Sequence, residues 1–239
     1  MRPMNTRQPP TAGTSLIRRY LPVTAAAALA VVLAGCAAGA AVPAPASTRA
    51  RPSGAAAKVD RLTAIARERY TEQVSGPHSI QTLHSVGRDP ALLRLLGSGN
   101  LGALRSYVQS RYHDVWYHWH VSRMRIVQGS RVVTEQGVPF CLPASKMTLR
   151  GTNGRNAGTL YVSMQDEIGF VRLMHRDLPV QVVIRGRSGQ LRTSIHAAAL
   201  VKLPASGDVT LGGHRYLVRS FHESSWGGEP VTIWILMKG

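Results

Sequence analysis

The sequence predicts an α+β fold, with long N-terminal helices packed on a central antiparallel sheet. Three observations predict it. Leu101, Leu104, Val108, Tyr112, Val115 and Trp119 recur every three or four residues, the spacing of one helix face. At Val121 the period drops to two, so that Ser122, Met124 and Ile126 face one way in a strand and Val121 and Val127 the other. Gln128-Gly129-Ser130 then supplies a turn and Arg131 to Thr134 starts back. A helix that runs straight into an antiparallel pair packs on one face of it.

The other elements follow in order. Val59, Leu62, Ala66, Tyr70 and Val74 make one apolar side of a helix over Val59 to Ser75. Gly76-Pro77 interrupts it, and Ile80, Leu83 and Val86 carry the same spacing on after a kink. Asp89-Pro90 is a helix start, Asp as the cap and Pro at the first helical position. That short helix, Ala91 to Leu96, stops at Gly97-Ser98-Gly99, and Asn100 caps the long helix to Trp119.

Beyond Thr134 the chain is strand-like and punctuated by glycine. Strands are expected at Lys146 to Leu149, Thr159 to Gln165, Val180 to Ile184, Leu191 to Leu203, Val209 to Leu211, Tyr216 to Phe221 and Pro230 to Met237. Residues 151–158 form a loop, and Gly186 to Gly189 a tight turn. Asp166 caps an inserted helix reaching about His175, with Ile168, Val171, Leu173 and Met174 apolar. Residues 231–236 are apolar almost throughout, which places that last strand inside the sheet.

Not all of the 239 residues belong to the mature domain. Arg2, Arg7, Arg18 and Arg19 precede a small-residue apolar run from Val23 to Leu33, with no acidic residue among them. A basic segment, a short apolar run and small residues at its end read as an export signal over residues 1–36. The run is shorter than the roughly 20 apolar residues of a membrane span. Leu33-Ala34-Gly35-Cys36 resembles the bacterial lipobox, which implies lipidation of Cys36 and an anchor on the outer face of the cytoplasmic membrane. Arg18-Arg19 also suits twin-arginine export, so the export route stays open between the two systems. Residues 37–57, rich in Ala, Pro and Ser, read as a spacer, and residues 58–239 as one domain of sufficient size for a core.

Cys141 is the only other cysteine, so the domain holds together without an internal disulfide. Its apolar setting, Val138 to Leu142, is that of a buried and inert thiol. Lysines and arginines number 29 against 12 acidic residues, a formal charge of +17, of which the leader's four arginines supply part. With an export signal, and with no run of basic residues, nucleic acid is not the expected partner. Anionic lipid, cell-wall polymer or a small anion suits the charge, as does a coding bias toward arginine with no functional meaning.

The order of elements resembles the single Cache domains, the PAS-like extracytoplasmic sensor domains of bacterial receptors. The resemblance rests on Asp89-Pro90-Ala91-Leu92 leading to Gly99-Asn100, on the following helix, and on the hairpin Val121 to Val133 around Gly129. Gly158 to Gln165 is similar to that family's third strand. It implies a PAS/Cache-like fold and a small ligand held over the curved face of the sheet. Carried onto this chain, it points at Tyr117, His118, His120, Ser122 and Arg123, at Tyr161, Ser163 and Gln165, and at Arg172 and His175 of the inserted helix. Arginine and protonated histidine there suit a carboxylate. Cache receptors carry membrane spans that lead into the cell. A lipid anchor in their place implies signalling through a sensor kinase or other partner protein.

His113, His118 and His120 sit among aromatics, and a zinc site needs a third ligand in register that the neighbouring sequence does not offer. Aromatic packing at a helix end and a polar ligand pocket are the alternatives. There is no nucleophile motif, no phosphate-binding glycine loop and no spaced carboxylate pair, so the expectation is no enzyme, no catalytic or metal-binding residue and no cofactor. Ligand sensing leads, an envelope-binding lipoprotein without a small ligand comes second, and a metal-dependent hydrolase third.

Overall fold

The computed structural model describes residues 54–239. The expected export signal over residues 1–36, with Cys36, and the expected spacer up to residue 53 lie outside the described residues. Four helices come first: α1 (Gly54–Ser75), α2 (Pro77–Gly87), α3 (Pro90–Ser98) and α4 (Leu101–Arg111). Residues 54–57, expected as spacer, are already helical. Among the described residues no helix is long and apolar enough to cross a membrane.

The starts of α3 and α4 form as the sequence predicts. Asp89 accepts from the backbone N–H of Ala91 and Leu92 at 2.9 and 3.1 Å, and Asn100 Oδ1 from that of Ala103 at 3.0 Å. Side-chain oxygens thereby satisfy N–H groups that a helix start leaves without an internal partner. α2 departs in one respect. Leu83 and Val86 are buried, but Ile80 is 39% exposed, and Ser79 and Thr82 fill the inward positions.

The strands divide between two sheets rather than one. β1 (Arg123–Gln128), β2 (Arg131–Gly137), β3 (Ser145–Arg150) and β4 (Asn156–Ser163) form the first, in the order β2-β1-β4-β3. α5 (Glu167–Asp177) leads to the second, made of β5 (Gln181–Gly186), β6 (Leu191–Thr193), β7 (Ser206–Leu211), β8 (His214–Ser224) and β9 (Pro230–Lys238). Its order is β6-β5-β9-β8-β7, so the apolar last strand is central, as its composition predicts. Every pairing is antiparallel.

Each sheet has its own core. α2, α3 and α4 lay Leu83, Leu92, Leu104 and Val108 against Met124, Ile126, Leu160 and Val162 of the first sheet. α1 and α5 lay Val59, Ala66, Tyr70, Phe170 and Met174 against Val182, Ile184, Ile233 and Ile235 of the second. The other face of the second sheet is covered by residues 195–203, through Ala198 and Leu203. The sequence predicts an extended run from Leu191 to Leu203, weakened at His196 to Ala199. Only Leu191–Thr193 is strand, and His196–Leu200 winds into a 3-10 turn, in keeping with three consecutive alanines.

Candidate functional site

The long helix expected to reach Trp119 does not stay α-helical. After α4 the chain widens into a π turn over Tyr112–Trp116 and tightens into a 3-10 turn over Tyr117–Trp119. Buried residues therefore run Leu104, Val108, Tyr112, Trp116, four apart throughout. Val115 is only partly buried and Trp119 is 39% exposed. π turns of this kind are concentrated at functional sites.

The turn ends at His120, the only residue besides glycine with positive φ among the described residues, at 65°. His120 N–H donates to Tyr117 O and Val121 N–H to Trp116 O, both at 3.0 Å. This is the pair of bonds that closes a helix with a left-handed residue, a position glycine normally takes. Val121 and Trp116 are both buried in the first core. Closing the helix this way lifts the His120 side chain out at its end.

Five of the ten sequence-predicted residues meet here. Tyr117, His118, His120, Ser122 and Gln165 line a cleft of about 390 Å³, together with Asp166. β1 begins one residue after Ser122, whose N–H donates to Ser163 O at 2.8 Å and ties the cleft to the end of β4. The Tyr112 hydroxyl donates to Ser122 O at 3.0 Å from below. Gln165 lies across the first turn of α5. A Cβ added at Gly169 would fall 1.7 Å from Gln165 Nε2, so only glycine lets the amide rest there. Asp166 Oδ1 accepts from Gly169 N–H at 2.8 Å as the cap of α5. Sequence reasoning saw Asp166 only as a cap; its place beside the histidines is set by the return of β4 next to β1.

The other five predicted residues lie elsewhere. Arg123 is committed to the protein itself: its guanidinium binds Glu135 at 2.8 Å, donates to Pro139 O at 2.7 Å and covers the ring of Trp226. Ser163 is buried and its Oγ donates to Leu142 O at 2.9 Å. Tyr161 stands opposite Arg125 and Lys146 on the polar face of the sheet. Arg172 is exposed on α5. His175 borders a separate hollow of about 180 Å³ against β5 and β8, with Nδ1 3.1 Å from Val180 O. Among the described residues no three His, Cys, Asp or Glu side chains come together as a metal site.

Beneath the cleft, the start of α5 buries a carboxyl. Glu167 is fully buried, and no other described residue hydrogen-bonds either carboxyl oxygen. Burial pushes its carboxyl up to about 8, and Asp166 and Glu229 push the same way against the pull of its own backbone N–H and Arg192. Burial likewise pushes the Cys141 thiol up to about 12, with Glu167 adding to it, so the thiol is protonated and unreactive at neutral pH.

Two solved structures of the periplasmic domain of Vibrio cholerae LuxQ match the chain. The selenomethionine form has a TM-score of 0.54 at 10% identity, over 76% of this chain and 98% of that domain. The other has a TM-score of 0.51 at 10% identity, over 77% and 100%. The fold is PAS/Cache-like. At this identity what is shared is the fold: helices first, then antiparallel sheets with a helix between them. No protein-family model and no curated relative matches the chain. Within the PAS/Cache-like fold, the cleft at His120 lies where the N-terminal helices hand over to the first sheet.

Proposed function

We propose that the chain is an extracytoplasmic ligand-sensing domain, held at the membrane by a lipidated Cys36, that passes ligand occupancy to a partner protein such as a sensor kinase. The observation that carries this reading is the convergence of Tyr117, His118, His120, Ser122 and Gln165 on one cleft at a helix end closed by a left-handed histidine. The PAS/Cache-like fold supports it. The cleft suits a small metabolite with an anionic group: ring N–H groups of His118 and His120 donate to a carboxylate, while Ser122 and Gln165 fix its orientation. The role is one of binding, with no catalytic residue assigned.

The test is thermal denaturation against a panel of organic acids and amino acids, since a ligand that binds only the folded state raises its stability. A rise that is lost in His120→Gly and Gln165→Ala supports the reading. No rise with any compound overturns it and favours the envelope-binding alternative. The positive charge of the chain fits that alternative too, and salt-sensitive binding to anionic polymer would be its mark.

A further inference from the structure

The far end of the first sheet holds a second cleft, of about 570 Å³, larger than the one at His120. The β1–β2 turn, the β3–β4 loop and the end of α3 enclose it. Both strand pairs are irregular there. Val133 is an extra residue in β2 opposite β1, and Ala157 an extra residue in β4 opposite β3. Such bulges bend strands and re-aim side chains, and they concentrate beside binding sites. Gly158, at φ 146°, follows the second bulge, and a Cβ there would fall 2.7 Å from Val127 O. At Gly129, φ 58°, a Cβ would meet nothing within 4 Å, so the backbone there stands bare toward the cleft.

Asn153 and Asn156 turn their amides the same way, while Gln128 spends its NH2 group on Ala157 O at 2.9 Å. Asn153 Oδ1 accepts from Arg155 N–H at 3.0 Å, and Asn156 Oδ1 from Gly158 N–H at 2.8 Å. Each amide oxygen is thereby occupied, and each NH2 group is left as a donor. The Arg155 guanidinium has no protein partner among the described residues, whereas its neighbour Arg150 is tied to Gly154 O at 3.2 Å. Among the described residues no acidic side chain lines the cleft. One free guanidinium and two amide donors, with no carboxylate to compete, make a site for negative charge.

We propose that this end of the first sheet binds a small oxyanion, a carboxylate or phosphate group, independently of the cleft at His120. Arg155 supplies a bidentate pair to the anion, and Asn153 and Asn156 donate to its remaining oxygens. The group comes either from a soluble metabolite or from a phospholipid headgroup.

The experiment is amide chemical-shift mapping of the full-length, 15N-labelled protein at constant ionic strength. The probes are inorganic phosphate, glucuronate and the soluble short-chain lipid dihexanoyl phosphatidylglycerol. Saturable shifts are expected at Gly129, Gly151 and Gly158, without matching shifts from Tyr117 to Ser122. Arg155→Ala weakens them about ten-fold, the loss of one charged hydrogen-bonding partner. Asn156→Asp keeps the oxygen that holds Gly158 N–H but replaces the donor with a negative charge; it abolishes the shifts with the melting temperature unchanged. Tighter binding of the short-chain lipid than of phosphate and glucuronate identifies a headgroup site, and the reverse identifies a soluble metabolite. Shifts elsewhere on the surface, no saturable shift, or shifts that survive both substitutions overturn the proposal.

Discussion

The Arg123 guanidinium lies over the Trp226 ring, 5.0 Å from its centroid, and so joins two sheets that have separate cores. Arg125 lies over the same ring at 5.4 Å. Both arginines bind Glu135 Oε1, at 2.8 and 2.9 Å. Burial pushes the Glu135 carboxyl up, but the two guanidiniums outweigh it and hold it below the usual range. The backbone N–H of Trp226 donates to Cys141 O at 2.9 Å, which fixes the turn between β8 and β9 against the first sheet. An arginine pair that would otherwise repel is thus held by one carboxylate below and one indole above.

Replacing that indole should loosen the junction. Trp226→Ala is expected to lower stability by about 3 kcal/mol, the usual loss for a buried aromatic. Trp226→Phe keeps a ring for the guanidiniums and should lose less. The midpoint of urea unfolding measures both.

Glu167 predicts a pH dependence. Its carboxyl is at about 8 when folded against a model value of 4.5. Between those values the folded protein holds a proton that the unfolded chain has released. The stability this group contributes is therefore fully present below about 4.5 and is lost as pH rises through 8. Glu167→Gln should flatten the slope and raise stability at pH 8 by on the order of a few kcal/mol. Thermal melts at stepped pH values, wild type beside variant, would show it; parallel curves would refute it.

At Asp89 one carboxylate serves three ends. It caps α3, accepts from the Tyr107 hydroxyl at 2.7 Å, and lies 3.6 Å from Arg111 Nε of α4. Burial, and then this hydrogen bond, push the Tyr107 hydroxyl up to about 12. Asp89→Ala should destabilise by about 2 kcal/mol, more than a lone cap. Asp89→Asn retains an oxygen for the cap and should lose about half of that.

His120 separates stability from binding. Its left-handed backbone is strained for a residue with a Cβ, so His120→Gly should raise stability by about 1 kcal/mol. The same change removes a side chain from the cleft. A higher melting temperature together with a smaller ligand-induced shift is expected. A variant that loses stability would show that His120 holds the turn rather than the ligand.

The sequence by itself determined the elements that depend on neighbours along the chain. Asp89 and Asn100 could be placed as caps because the groups they satisfy lie two or three residues on. Gly129 could be placed in a hairpin turn because few other residues take its backbone angles. The alternation at Met124 and Ile126 gave one buried face, and the apolar run at 231–236 gave a central strand. Part of the candidate site was also legible, since Tyr117, His118, His120 and Ser122, which line one cleft, lie within six residues of one another.

Only the tertiary structure decided the rest. Local periodicity says that a strand has a buried face, not which strand it joins, so the same strands divided between two sheets or joined in one read alike. It could not show that Trp226, from the turn between β8 and β9, would cover Arg123 on the first sheet and commit that arginine to the protein itself. Nor could it show that the return of β4 beside β1 would bring Gln165 and Asp166 to the histidines. Helix ends and turns are fixed by bonds a few residues long. Which surfaces meet is fixed by how the whole chain buries its apolar faces.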